Sequence, residues 1–258
     1  MCPNDTHGHA QPIAVDVADA APAGAAPSPA LVEQLVLANH ILFDQGVVDA
    51  FGHVSVRHDG RPDRFLLARN MAPGQVAVDD IVEFTLDGEA VNAAGRRVYL
   101  ERFIHGEIYR RRPDVMAVVH SHSHAIVPLS VVKGVRLQAL FHMAGFIGSG
   151  APVFEIRACA GDASDLLIRD RRLGAALARA LGQDAAVLMR GHGSTVVGAS
   201  VRQAVFRAVY TEVGARLQSE ALRLGAVTYL TEGEAAAAAA ANDTQIGRAW
   251  DLWRRRVA

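Results

Sequence analysis

Val115-Met116-Ala117-Val118-Val119-His120-Ser121-His122 is an apolar run that ends in two histidines two residues apart. Successive side chains of a strand point to opposite faces, so a strand here puts both imidazoles on one face at its end. A second run of the same kind, Ala185-Ala186-Val187-Leu188-Met189, leads into Arg190-Gly191-His192-Gly193-Ser194-Thr195. The glycines flanking His192 allow a sharp turn and a close backbone approach. Glu101 opens the segment before the first pair. Three imidazoles and one carboxylate from distant segments are the inventory of a catalytic divalent-metal site with an open position.

The rest of the chain organises around these runs. Apolar residues at Leu31, Leu35, Ala38, Ile41 and Leu42 predict a helix over 31–45, with Gly46 as its C-cap. Short strands are expected at 51–56, 65–68 and 81–85. Gly60, Pro62 and Asp63 mark a turn between the first two, and Leu86-Asp87-Gly88-Glu89 marks another. A helix over 101–112 is stopped by Pro113. The strand at 115–121 is followed by a loop and helix over 122–131, strands at 136–140 and 153–156, and a helix over 165–181 capped by Gly182. Strands at 185–189 and 195–197 flank His192. Ser200 caps a long amphipathic helix that runs over 200–224 to Gly225. The alanine-rich run at 235–241 continues as a helix through Trp250 and Trp253. It reads as a C-terminal helical arm, available to pack on another subunit. Strands and helices mix without regular βαβ repetition, which argues an α/β sandwich with a largely antiparallel sheet. There is no GxGxxG after a strand, no P-loop and no internal repeat. Residues 1–28, rich in Ala, Pro, Asp and Gly, read as a disordered leader in which His7 and His9 bind metal only adventitiously. Residues 29–258 then form one catalytic domain with the arm at its end.

At 258 residues, with 50% hydrophobic and 21% charged, the composition is that of a globular chain long enough for one large core. The formal net charge of -1 argues against nucleic acid and anionic membranes as partners. The basic clusters Arg110-Arg111-Arg112, residues 169–172 and Arg254-Arg255-Arg256 read as solvated helix faces or ends. Cys2 and Cys159 are the two cysteines. With Cys2 in the leader, no structural disulfide is expected, which favours a reducing cytoplasm. A secretory signal pattern and a bilayer-length apolar run are both missing from the sequence. The expectation is a cytoplasmic protein with neither nucleic acid nor membrane as a partner.

Several further residues carry chemistry. Glu101 reads either as a helix N-terminal acid stabilised by the helix dipole or as an acid/base beside a metal. His105 and Glu107, with Arg102, support the helix or orient ligands. His53 and Ser55, in Phe51-Gly52-His53-Val54-Ser55, share one strand face and suit a substrate anion. His124 continues the alternation as a ligand, a relay or a plain loop residue.

The joint order of Gly52-His53-Val54-Ser55-Val56-Arg57, Glu101, Arg112-Pro113-Asp114, Val118-Val119-His120-Ser121-His122 and Arg190-Gly191-His192-Gly193 resembles the class II aldolase/adducin family over roughly residues 31–230. The resemblance implies a three-layer α/β/α sandwich around a mostly antiparallel sheet. It implies His120, His122 and His192 as ligands of one divalent metal ion per subunit; three imidazoles and a carboxylate suit zinc first, with manganese, iron(II) or cobalt as alternatives. It implies Glu101 as catalytic acid/base, and a homotetramer with active sites between subunits. Phosphate-using aldolases carry a Thr-Pro-Thr-Gly-like turn where this chain reads Leu67-Ala68-Arg69-Asn70-Met71-Ala72-Pro73. They carry two serines where it reads Tyr99-Leu100 before Glu101. The small hydroxyls and glycine that cradle phosphate are replaced by bulk, which argues against a sugar phosphate. Their tyrosine proton donor reaches into a neighbour's site. Here that segment reads Leu140-Phe141-His142-Met143-Ala144-Gly145-Phe146, with His142 as the replacement acid.

The pattern resembles more closely a branch of decarboxylases acting on dihydroxyphthalate-type aromatic acids or on hydroxy-carboxy-oxo-dienoates. Arg69 and His53 would hold substrate carboxylates, with Tyr99, Phe141 and Phe146 as aromatic walls. The expected function is a metal-dependent lyase that decarboxylates a small hydroxylated aromatic or dienoate carboxylate. An aldolase acting on a non-phosphorylated hydroxy-oxo acid is the first alternative, and a non-enzymatic adducin-like scaffold is the second.

Overall fold

The computed structural model describes residues 26–257. The readings placed on Cys2, His7 and His9 lie outside the described residues. Ser28, at the end of the expected leader, caps the first helix: its hydroxyl accepts from the Leu31 N–H, and Pro29 occupies the first helical turn.

Helix α1 (Pro29–Asp44) leads into strands β1 (His53–Arg57), β2 (Arg64–Ala68) and β3 (Ile81–Thr85). Helix α2 (Arg102–Arg111), strand β4 (Ala117–Ser121), helix α3 (Ile126–Val131) and the short strand β5 (Val153–Phe154) follow. The chain continues through α4 (Arg157–Ala160), α5 (Arg171–Leu181), β6 (Ala186–Met189), β7 (Gly193–Gly198) and the 24-residue α6 (Val201–Leu224). It closes with α7 (Glu232–Asp243) and α8 (Ile246–Val257). The seven strands form one sheet in the order β3-β2-β1-β4-β7-β6-β5. Every pairing is antiparallel except β5 with β6. Helices α1 and α6 pack on the central strands, α2 and α5 pack against each other, and α5 reaches the β5–β6 end. Covered on both sides, β4, β6 and β7 are buried along their whole length, which explains why β4 and β6 read as continuous apolar runs rather than alternating ones. The arrangement is the expected three-layer sandwich.

Three local expectations are corrected. The stretch expected as a strand at 136–140 joins no ladder of the sheet; Leu137 and Ala139 make single backbone bonds with Ala151, Gly148 and Leu230. Gln218 of α6 takes the place of a partner strand, accepting from the Gln138 N–H and donating to the Arg136 carbonyl. A side-chain amide thus satisfies backbone groups that a ladder would otherwise serve. The helix expected from 165 begins at Arg171 with Asp170 as its N-cap, because Leu166 adopts a φ of 70°. The C-terminal arm is two helices rather than one. It breaks at Thr244 and Gln245, and Trp250 and Trp253 are buried where α8 packs on α1 and α6 of the same chain.

Candidate metal centre

Strand register brings the site together. His120 faces His53 across the β1–β4 pairing and Thr195 across β4–β7, and Ser121 faces Ser194. His122 follows the end of β4, His192 precedes β7, and Glu101 is the N-cap residue of α2. Gly193 makes the approach possible. A Cβ on it would lie 2.0 Å from the Ser121 carbonyl oxygen, and Gly191 turns the chain with a φ of 67°.

One nitrogen or oxygen from each of Glu101, His120, His122 and His192 lies within 4.8 Å of all the others. Nε2 of His120 is 3.2 Å from Nε2 of His122. Glu101 Oε2 is 3.5 Å from Nε2 of both His120 and His192, and 4.0 Å from that of His122. Donors about 2.1 Å from a tetrahedral zinc would be separated by about 3.4 Å, which the 3.2 Å between the His120 and His122 nitrogens fits. The other atom of each group is held away from the centre. His120 Nδ1–H donates to the Ser194 carbonyl at 3.0 Å, and His192 Nδ1–H donates to the Leu166 carbonyl at 2.9 Å. Glu101 Oε1 accepts from the Ile168 N–H at 2.9 Å. Both imidazoles are thereby set with a bare Nε2 toward the centre, as metal-bound histidines are. His192 Nε2 is buried and has no hydrogen-bond partner. A buried polar atom in that state calls for a ligand, and a divalent cation fits this donor set.

Burial opposes ionisation of Glu101, but the His120 and His192 imidazoles beside it hold its carboxyl well below the usual carboxylate range. Burial works to lower His192 too, and Glu101 outweighs it, raising that imidazole. His122 is pushed down to about 4 by burial and by the neighbouring imidazoles.

Behind the cluster lies a buried polar chain. His53 Nδ1 meets His105 Nε2 at 2.7 Å, His105 Nδ1 meets Ser55 Oγ at 2.6 Å, and Ser55 Oγ meets the Tyr109 hydroxyl at 2.7 Å. Burial, with the His120 ring adding to it, pushes His105 down to about 3. Burial also takes His53 well below its ordinary value. The unfolded chain binds protons near pH 6.5 that these folded imidazoles refuse. Folding stability is therefore intact above about pH 6.5 and falls as the pH drops toward 3, at about 1.4 kcal/mol per pH unit for each such group. Urea unfolding across this range checks it: His105→Asn should flatten the slope by about one group's share.

The remaining candidates fall in different places. Beside Glu101 and His122 opens a cavity of about 570 Å³ walled by Phe51, Met71, Tyr99, Leu100 and Leu167, with His53 on its lining. The Tyr99 hydroxyl donates to the Met71 carbonyl, which joins the two stretches that depart from the phosphate-binding pattern. Ser55 is fully buried and bonds within the polar chain, so it does not face the cavity. Arg69 donates to Asp80 Oδ1 at 2.6 Å and is not part of the cavity wall. His142 and Phe141 lie at the 3-10 segment His142–Ile147 that packs on α6 and α7. His142 is exposed and shares a separate cavity with Phe206, Tyr210 and Trp253. His124 is exposed and outside the cluster.

Residues 33–219 match the class II aldolase and adducin N-terminal domain. The chain belongs to the class II aldolase/adducin family. Within this family it is 38% identical over 241 residues to the decarboxylase tropJ of Talaromyces stipitatus, covering 84% of this chain and 90% of that one. It is 31% identical over 207 residues to the 3,4-dihydroxyphthalate decarboxylase of Arthrobacter keyseri, covering 75% and 79%. An L-fuculose 1-phosphate aldolase from Glaciozyma antarctica shares the fold at 24% identity. Its TM-score is 0.71, with 87% of this chain and 88% of that one covered. Among the described residues no helix is long and apolar enough to cross a membrane.

The family pattern did not reveal the groups that hold the ligands. The carbonyls of Leu166 and Ser194 and the N–H of Ile168 are backbone atoms and carry no residue-type signal. The apolar walls at Phe51, Leu100 and Leu167 gave no signal of their own either. The 165–170 loop turns at Leu166 with a φ of 70° and is held at the site by the Ile168 N–H bond to Glu101 and the His192 bond to the Leu166 carbonyl.

Proposed function

We propose that this chain is a metal-dependent decarboxylase of a small hydroxylated aromatic or dienoate carboxylate, with zinc as the favoured ion. One observation carries the reading: the three-histidine, one-glutamate cluster opens onto a cavity with apolar and aromatic walls, where Tyr99, Leu100 and Met71 stand in place of a phosphate cradle. The similarity to two decarboxylases over most of the chain supports it. The intact donor set favours an enzyme over a scaffold.

His120, His122 and His192, with Glu101 beside them, would hold the ion. When bound, it supplies the Lewis acidity that stabilises enolate-like charge. Glu101 takes the proton of the substrate hydroxyl through Oε2 while the Ile168 N–H keeps Oε1 in place. The carbon–carboxylate bond breaks with its electron pair left on the substrate carbon, and Glu101 returns the proton to that carbon. His53 orients a carboxylate, and the apolar walls exclude water. His142 lies exposed and outside the cavity beside Glu101 in its own chain; in a homotetramer it would serve a neighbouring subunit's site.

Carbon dioxide release is to be measured over a panel of ortho-hydroxylated aromatic and dienoate carboxylates, with zinc, manganese, cobalt or iron(II) loaded separately. Glu101→Gln is expected to lower kcat by about 10²–10⁴-fold, the usual contribution of a positioned acid/base, while retaining metal. Aldehyde or pyruvate appearing from hydroxy-oxo acids, with no carbon dioxide from any member, would replace this reading with an aldolase.

A further inference from the structure

The buried chain from Tyr109 to His53 has a direction, and the direction decides what His53 offers a substrate. Tyr109 is almost fully buried, and among the described residues Ser55 Oγ is the one acceptor that hydrogen-bonds with its hydroxyl. A buried O–H without an acceptor is strongly disfavoured, so the phenol donates to Ser55. Ser55 has one proton and two partners, Tyr109 and His105. Having accepted from Tyr109, it donates to His105 Nδ1. His105 Nδ1 is therefore bare, and the ring proton of His105 sits on Nε2. That proton points at His53 Nδ1, 2.7 Å away, which must accept it. His53 then carries its own proton on Nε2. Its Nδ1 is turned to His105 while the residue lines the cavity, so Nε2 is the nitrogen left to face the cavity.

We infer that Tyr109, Ser55 and His105 form a one-way hydrogen-bond relay that locks His53 as an Nε2–H donor, and that this donor binds a carboxylate of the substrate. The substrate half of this statement rests on the proposed decarboxylase reading; the tautomer does not. Tyr109, Ser55 and His105 are positioning residues, because each acts on the cavity only through the next. A locked donor on the cavity side also accounts for a fourth imidazole beside the metal cluster that is not part of it: His53 has no lone pair to give there. An anionic oxygen is the partner that a fixed N–H serves best.

The test begins with nitrogen–proton spectra of zinc-loaded protein labelled at the histidine ring nitrogens, recorded without substrate and so independent of which reaction the enzyme performs. A bare Nδ1 and a protonated Nε2 on both His53 and His105 are expected. A proton on His53 Nδ1 would overturn the relay. Ser55→Ala removes the donor to His105, and a second His53 tautomer should appear in its spectrum; an unchanged His53 signal would exclude Ser55 from the relay. Titration with phthalate then reads the donor's role. His53→Phe keeps a ring but loses the N–H and should weaken phthalate binding by about tenfold or more, while His53→Gln, which restores an N–H, should recover much of it. Both variants should hold zinc as the wild type does. Phthalate binding to His53→Phe at wild-type strength would overturn the assignment of His53 to a carboxylate.

Discussion

His120→Ala is expected to lose stoichiometric metal and to lower carbon dioxide release by about a thousandfold or more, since a bound ion contributes several kcal/mol of transition-state stabilisation. His120 is fully buried at the meeting point of the cluster, with Nε2 within 3.5 Å of both His122 and Glu101. The variant also separates metal binding from folding. Zinc should raise the melting temperature of the wild type by mass action and leave that of His120→Ala unmoved. Metal analysis, melting curves with and without zinc, and turnover on the carboxylate panel check the three parts together. Full metal content with full activity in this variant would remove the central assignment.

Gly193→Ala is expected to damage the same site without touching a ligand. Its Cβ would sit 2.0 Å from the Ser121 carbonyl oxygen and 3.0 Å from the His122 Cα. Both are backbone atoms that cannot swing aside, so β4 and β7 must part at the end that carries His122 and His192. Overpacking of this kind costs about 1–3 kcal/mol, and more where backbone must move. In a chain of this size each kcal/mol lowers the melting temperature by about 2–4 °C. A displacement of about 1 Å at the ligands is enough to lower turnover by about a hundredfold. Zinc affinity should fall with it, measured by competition with a chelator. A variant with unchanged zinc affinity and turnover would show that the strand end tolerates separation.

The four residues of the cluster were legible before any coordinates because their chemistry is written in residue type and period. Histidines two apart at the end of an apolar run share a strand face, and the glycines around His192 mark a close approach. The sandwich was legible for a related reason: apolar runs such as 115–119 and 185–189, buried on both faces, cannot be surface strands. The stretch at 136–140 shows where that reasoning fails. Its composition suits a strand, yet Gln218, some 80 residues away, meets its backbone groups. Arg69 shows the same limit at the site. As a residue type it suits a carboxylate, but Asp80 claims it.

By itself the sequence determined the histidine and glutamate inventory of the cluster and the sheet-forming runs, because these depend on side-chain type and on local periods of two and 3.6; the departure from a phosphate cradle came from the resemblance to the family pattern. Only the tertiary structure decided which atoms orient the ligands, which residues wall the cavity, and that Ser55 and His105 stand behind His53 instead of facing a substrate. Those relations join segments dozens of residues apart, and many run through backbone carbonyls and N–H groups that every residue shares. Their positions follow from strand register and from a positive φ at Leu166, neither of which residue identity specifies locally.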